Sequence, residues 1–140
     1  MEQTIERPQV EPWMRGVLLL ASAYNLGWGF FIYNFPNAFY QWVTQTEAAA
    51  PGIIEWQGLG VLVFGIIYLA VAIYPATLWY LLLLGILSKA GGAIWFYFDI
   101  MQQTVNKKYL FHLIMNDLVW LLPFLLIVLR AYQVHQRKTS

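Results

Sequence analysis

Hydrophobic residues fall into four long runs along the chain, separated by short stretches that contain proline, glycine or polar residues. The runs cover residues 13–34, 53–74, 76–98 and 109–132. A helix needs about 20 apolar residues to cross the hydrocarbon core of a bilayer, and each run has roughly that length. The pattern predicts an all-α integral membrane protein whose four transmembrane helices form an up-down-up-down bundle.

The breaks between the runs contain residues that end helices. Phe35 precedes Pro36, and the residue before a proline is disfavoured in the helical conformation. The stretch after it, Asn37 to Val43, mixes aromatic and polar residues, which predicts a short amphipathic segment at the membrane interface. Pro75 marks a tight turn, so the second and third helices are expected to be antiparallel neighbours. A polar loop, Asp99 to Lys108, precedes the fourth helix.

Short polar tails flank the membrane domain, which we place at residues 13–133. Residues 1–12 form the N-terminal tail and residues 134–140 the C-terminal tail. The segment Ala21 to Ala23 resembles a signal-peptide cleavage site, but only about six apolar residues precede it, against roughly 7–15 in a signal peptide. The tail before it also carries several glutamates. We therefore expect the first run to be retained as a membrane helix.

Composition supports this class of protein. Hydrophobic residues make up 60% of the chain and charged residues 11%, with a mean hydropathy of +0.56, whereas about 25% of residues are charged in a soluble domain. The net charge is only +1 and the basic residues form no stripe along the sequence, which excludes nucleic acid as a partner. The chain has no cysteine, which excludes disulfides, thiolate metal sites and thiol redox chemistry.

The distribution of basic residues predicts the orientation in the membrane. Lysine and arginine are more numerous near the termini than in the loop before the fourth run: Arg7, Arg15, Arg130, Arg137 and Lys138, against Lys107 and Lys108. Cytoplasmic segments carry the excess of basic residues. Both termini are therefore expected in the cytoplasm.

Lys89 lies well inside the third run, where a charge costs about 3 kcal/mol or more unless it faces the bundle interior and is paired. At a rise of 1.5 Å per residue, Lys89 lies ~13 Å from Phe98, and Asp117 lies ~12 Å from Tyr109. The two side chains are thus expected at the same depth on neighbouring helices. We predict that they contact each other.

The other polar residues of the runs fall in the same half of the bundle. Trp120 follows Asn116 at the four-residue spacing that places both on one helix face. Small residues beside Lys89 would allow helix backbones to approach closely. The candidate ligand-binding or buried polar cluster is Asn25, Glu55, Gln57, Lys89, Asn116, Asp117 and Trp120.

Each of these features also has a structural interpretation. Lys89 and Asp117 form either an ion pair that sets helix register or a pair that takes part in ligand binding or proton movement. Buried amides commonly hydrogen-bond between helices. His112 lies close to the start of the fourth run, which favours an interfacial position over proton transfer or metal binding. No catalytic motif or metal-ligand set is present in the sequence, so no catalytic residue is assigned.

Five motifs carry a resemblance to a known family: YNLGWG at Tyr24–Gly29, FP at Phe35–Pro36, EWQGLGVLVFG at Glu55–Gly65, GILSKAGG at Gly85–Gly92 and NDLVWLLPF at Asn116–Phe124. With these motifs, which touch all four runs, the chain resembles the DoxX-like and allied uncharacterised small four-helix bacterial membrane proteins. The resemblance implies a bundle in the bacterial inner membrane and members that act as accessory subunits of quinone-linked membrane enzymes. It supplies no catalytic residues.

These observations lead to three functional hypotheses. The first is a non-catalytic protein that is a subunit of a membrane complex or binds a lipid-like or quinone-like molecule, with Trp28, Trp95 and Trp120 lining the apolar part of the site. Its expected partners are membrane lipid and a membrane protein or second copy of the chain; apart from a bound quinone or lipid, no cofactor is evident. The second is a dimeric proton-coupled carrier using Glu55, Lys89 and Asp117, and the third is a lipid-modifying membrane enzyme.

Overall fold

The computed structural model describes residues 9–101 and 106–140, and 88% of these residues are helical, with no β-strand among them. The α-helices are α1 (Pro12–Asn34), α2 (Pro36–Thr44), α3 (Ile53–Ile73), α4 (Pro75–Trp95), α5 (Lys107–Leu113) and α6 (Val119–Thr139). Two π-helical segments accompany them: Phe96–Met101 continues α4, and Ile114–Leu118 joins α5 to α6.

Four helices in the described part of the chain are long and apolar enough to cross a membrane: Pro12–Asn34, Ile53–Ile73, Pro75–Ile100 and Lys107–Thr139. This confirms the prediction of four membrane-length helices. Their outer surfaces carry large apolar side chains, such as Leu20, Leu87 and Leu122, which are 64%, 68% and 66% exposed. Such a surface is suited to contact with lipid hydrocarbon, as expected of an integral membrane protein.

The segments between and beyond the four helices differ from the sequence expectation in two places. The last helix continues past Tyr132 to Thr139, so most of the predicted C-terminal tail is helical. The predicted polar loop is shorter than expected, because the π-helix extends to Met101 and α5 begins at Lys107, while residues 102–105 lie outside the described residues. Residues 1–8 of the predicted N-terminal tail also lie outside them.

Proline residues set the starts of three helices. Pro12, Pro36 and Pro75 each occupy the first positions of a helix, where the missing N–H would have had no intrahelical partner. Single residues, Phe35 and Tyr74, connect α1 to α2 and α3 to α4. Both connections lie at the helix ends that the sequence predicted.

Glycine residues allow α1 and α3 to pack backbone against backbone. A Cβ atom added to Gly29 would lie 2.6 Å from the backbone nitrogen of Leu62, and one added to Gly58 would lie 2.5 Å from the backbone nitrogen of Tyr33. Ser22 Oγ donates a 2.7 Å hydrogen bond to the carbonyl of Gly65 across the same interface. Small residues are what permit such close contact between membrane helices. As a result α1 and α3 form the most extensive helix pair of the bundle.

Two apolar clusters form the core. The first surrounds Tyr68 and includes Leu18, Leu82, Phe124 and Ile127. The second is made where α2 packs against the bundle, and its buried members are Ile32, Phe39, Val43, Ile54, Phe96 and Tyr109. A group of polar side chains lies between these clusters, in the half of the bundle where α1 and α4 end.

At the end of the bundle where α1 begins and α3 ends, polar contacts connect α1 and the residue before it to the other helices. The Arg15 guanidinium donates to the carbonyls of Ala72 and Ile73 at the end of α3, at 3.2 and 3.3 Å. Arg130 Nη2 lies 3.3 Å from Glu11 Oε1 in a partly exposed ion pair. A cation at the C-terminal end of a helix also interacts favourably with the helix dipole.

Candidate functional site

A cavity of about 180 Å³ lies among the membrane-length helices, and all four contribute to its wall. It is comparable with an engineered cavity of about 150 Å³ that holds benzene. The cavity therefore has room for a six-membered ring or for several water molecules. Its lining residues are Asn25, Gln57, Gly60, Val61, Phe64, Tyr68, Ser88, Lys89, Gly92, Trp95, Asn116 and Asp117.

Lys89 is only 3% exposed and forms the centre of the polar group. Its Nζ atom donates to the backbone oxygen of Asn116 at 2.5 Å and to Asn25 Oδ1 at 3.4 Å. The Tyr68 ring centroid lies 5.7 Å from the same nitrogen. An ammonium has three N–H donors, so these two oxygens leave one donor for a further partner.

Asp117 lines the same cavity but does not form the predicted ion pair with Lys89. Among the described residues, no nitrogen–oxygen distance of 4.0 Å or less joins these two side chains. Asn116 stands between them, because its backbone oxygen accepts from Lys89 while its Nδ2 donates to Asp117 Oδ1 at 3.0 Å. The shared depth was predicted, but the direct contact was wrong.

The π-helical segment Ile114–Leu118 explains why a backbone oxygen takes the place of the carboxylate. A π-helix replaces the i→i+4 hydrogen bonds of an α-helix by i→i+5 bonds, and such insertions are frequent at functional sites. Around it, carbonyl oxygens accept from side chains: Asn116 from Lys89, and Met115 from Trp120 Nε1 at 2.8 Å. The segment thus presents a carbonyl oxygen to Lys89.

Trp120 does not belong to the cavity wall. Its indole nitrogen bonds to the Met115 carbonyl, and its ring packs against Tyr24 and Phe124 with centroids 5.9 and 6.0 Å away. The four-residue spacing from Asn116 does not bring it to the cavity, because the π-helical turn lies between the two residues and changes the angle between them. Trp120 is a core residue rather than a lining residue.

Asn25 and Gln57 line the cavity, whereas Glu55 does not. Asn25 Nδ2 donates to the Val61 carbonyl at 3.2 Å while its Oδ1 accepts from Lys89, so it links three helices. Gln57 lines the cavity, but the Glu55 side chain is exposed and outside the lining. Residues two apart on a helix point about 200° apart, so only one of the pair can face the cavity.

Several buried polar atoms around the cavity have no hydrogen-bond partner within the protein. In the described residues these atoms are Gln57 Oε1, Tyr68 Oη, His112 Nε2 and Asn116 Oδ1. All except His112 belong to residues that line the cavity. An unsatisfied buried polar group costs about 1–3 kcal/mol. The cavity wall therefore offers unpaired polar atoms that a hydrogen-bonding occupant, water included, could satisfy.

No family model, curated protein or solved structure matches this chain. What the cavity can hold therefore follows from its own size and chemistry.

Tyr68 is the main lining residue that sequence reasoning missed, because this half of α3 reads as pure hydrocarbon. Its ring rests on Gly85 of α4, where an added Cβ atom would lie 2.7 Å from Tyr68 Cε1. The tyrosine hydroxyl, more than one turn inside an apolar run, was the available indication, since tyrosine in membrane helices is enriched at the interfaces. Ser88 and Gly92, two of the small residues beside Lys89 that were expected to allow close helix packing, also line the cavity.

His112 is buried inside the protein, with only 1% of its surface exposed. Trp28 Nε1 donates to its Nδ1 at 3.1 Å, and the rings of Phe39 and Phe96 lie 4.9 and 4.8 Å from it. α2 folds over this part of the fourth helix and covers the histidine, whose depth in the membrane stays a prediction. Trp28 consequently belongs to this aromatic group, and of the three tryptophans expected in the site only Trp95 lines the cavity.

Proposed function

We propose that this chain binds the polar head of a lipid-like or quinone-like molecule in the Lys89 cavity and does not itself catalyse a reaction. One observation carries the proposal: three buried polar atoms without protein partners belong to the wall of a cavity large enough for a six-membered ring. Ligand sites combine a mostly apolar wall with a few convergent polar groups. The cavity has this composition.

The available groups suit a ring that carries hydroxyl or carbonyl oxygens. Lys89 and Tyr68 can donate to a ligand oxygen, while Gln57 Oε1 and Asn116 Oδ1 can accept from a ligand hydroxyl. Phe64 and Trp95 provide flat apolar surfaces beside these groups. A head group with both donors and acceptors would satisfy the atoms that the protein leaves unpaired.

The proposed setting is the bacterial inner membrane, with both termini in the cytoplasm, alternating helix directions and α2 at the opposite interface. The excess of basic residues near the termini supports this orientation. The resemblance to DoxX-like proteins supports a role as an accessory subunit of a quinone-linked membrane enzyme, whose partner protein or second copy would use or exchange the bound molecule.

Transport is the weaker hypothesis because the polar groups occupy only one half of the bundle. Between Tyr68 and the end of the bundle that holds both termini, the core consists of Leu18, Leu82, Phe124 and Ile127, all fully buried. A carrier needs a polar route that reaches both sides in turn, and this apolar cluster stands across that route.

The first test is extraction of the full chain in mild detergent, followed by native mass spectrometry and analysis of the bound quinones and lipids. We expect one small molecule per chain, lost in Lys89→Met and retained in the matched control Lys108→Met, whose lysine is outside the cavity. Equal retention in the two variants, or an extracted wild-type chain without any small molecule, would refute the proposal.

A further inference from the structure

Two glycines, one on α3 and one on α4, form part of the cavity wall. Gly60 on α3 is exposed and Gly92 on α4 is half-buried, and both line the cavity. A Cβ atom added to Gly60 would meet nothing within 4 Å, and one added to Gly92 would meet only Asp117 Oδ1 at 3.8 Å. These glycines therefore differ from Gly29 and Gly58, whose missing side chains are replaced by the neighbouring helix.

The two helices come together away from this opening. α3 and α4 are joined by Tyr74, and Gly85 packs directly on the Tyr68 ring. Beyond that contact, toward Gly60 and Gly92, the cavity takes up the space between the helices. The pair thus closes the cavity at the Tyr68 level and leaves an opening on the lateral surface of the bundle.

The opening is surrounded by apolar side chains that face outward. On α3 these include Leu59 and Val63, which are 37% and 45% exposed, and on α4 Leu84, one turn before the lining residue Ser88, which is 50% exposed. In a membrane-spanning bundle such a surface faces lipid hydrocarbon, since the described helices are apolar enough to cross a bilayer. A molecule that passes between Gly60 and Gly92 would come from the bilayer itself.

We propose that the gap between Gly60 and Gly92 is a lateral portal for an amphiphile dissolved in the membrane. The head group passes between the glycines and reaches Lys89 and Tyr68, while its alkyl tail stays between α3 and α4 in contact with lipid. This inference rests on the proposed function for the identity of the occupant and adds its route and its bound orientation. It assigns Gly60 a role that packing does not require.

Access can be tested by filling the portal. The full chain is reconstituted in lipid nanodiscs and mixed with decylbenzoquinone, and association is followed by quenching of tryptophan fluorescence, because Trp95 lines the cavity. Gly60→Leu places a side chain in the opening. Gly27→Leu is the matched control, since a Cβ atom at Gly27 also meets nothing within 4 Å and Gly27 lies on α1 outside the cavity lining.

We expect Gly60→Leu to slow association about tenfold or more, within the range over which association rates vary among variants, and Gly27→Leu to leave it unchanged. Both variants should fold, because leucine favours helix more than glycine does; thermal unfolding checks this. A probe with a diazirine at the end of its tail gives a second measurement on the wild-type chain. Its adducts should map to Leu59, Val63 or Leu84.

The outcomes separate the portal from the binding site. Equal association rates for the two leucine variants, or tail adducts on α1 or α6, would overturn the portal, while loss of binding in Lys89→Met alone would still support the proposed function. Loss of a co-purifying polypeptide in Gly60→Leu, with unchanged quinone association, would also overturn it and identify this surface as a subunit interface. A wild-type chain that binds no probe would refute both.

Discussion

Exchange of the two charged residues in the cavity tests how Lys89 is stabilised. If Lys89 and Asp117 formed a direct ion pair, the double variant Lys89→Asp/Asp117→Lys would restore the stability lost in either single variant. The structure predicts that it does not. A carboxylate at position 89 would face two oxygen acceptors, the Asn116 carbonyl and Asn25 Oδ1, which now receive hydrogen bonds from Lys89.

The size of the effect follows from the contacts. The 2.5 Å bond from Lys89 to the Asn116 carbonyl comes from a charged donor, and such bonds contribute about 1.5–3 kcal/mol. The 3.4 Å contact to Asn25 is longer than a typical hydrogen bond and adds little. Lys89→Met also leaves Asp117 without a cation in the same cavity. The hydrogen bond therefore sets the expected loss at about 1.5–3 kcal/mol, and the uncompensated charge of Asp117 adds to it.

The assay is reversible unfolding in mixed detergent micelles, followed by circular dichroism, for the wild type, Lys89→Met, the exchanged pair and Lys89→Met/Asp117→Leu. We expect the exchanged pair to be at least as unstable as Lys89→Met, and the apolar double variant to regain most of the loss, because replacing both buried charges by apolar residues is often close to neutral. Wild-type stability in the exchanged pair would show that a direct ion pair, and not the Asn116 carbonyl, holds Lys89.

Two further predictions concern packing and the opposite end of the bundle. Gly85→Ala should lower the free energy of unfolding by about 1–3 kcal/mol, because the new methyl group would lie 2.7 Å from Tyr68 Cε1; Gly91→Ala, which meets nothing within 4 Å, is its control, and equal stability of the two would contradict the packing argument. Arg15→Gln should cost about 0.5–1 kcal/mol, since exposed cationic contacts contribute little, through its lost bonds to the Ala72 and Ile73 carbonyls. The same unfolding assay measures it, and a loss well above this range would indicate that Arg15 has a larger role.

Much of the fold was predictable because helix length and helix ends are local properties. Apolar runs of membrane length and the prolines after them predict helix breaks at Phe35–Pro36 and at Pro75, and in the structure α1 ends at Asn34 and α3 at Ile73. The last helix was predicted too short, because its polar final turns do not resemble a membrane span and yet continue as helix to Thr139. Hydropathy detects the part of a helix suited to lipid, not the whole helix.

The sequence predicted how deep in the bundle the polar residues lie, but not which side chains face the cavity. A fixed rise per residue places Asn25, Lys89 and Asp117 at one level, and all three line the cavity. Whether a side chain points inward depends on how each helix is rotated, and this depends on packing. Glu55 was therefore assigned to the cluster although its side chain is exposed, and Tyr68 was left out although its ring is buried beside Lys89.

The sequence by itself thus determined an all-helical chain with four membrane-length helices and one buried group of polar residues, since a lysine in an apolar run has to be enclosed by other helices. Only the tertiary structure decided which atoms meet. The π-helical segment Ile114–Leu118 changes the helix register and brings a backbone oxygen of Asn116 to Lys89 in place of the Asp117 carboxylate. π-helical turns are rare insertions in α-helices, and no motif in the sequence indicates one at this position.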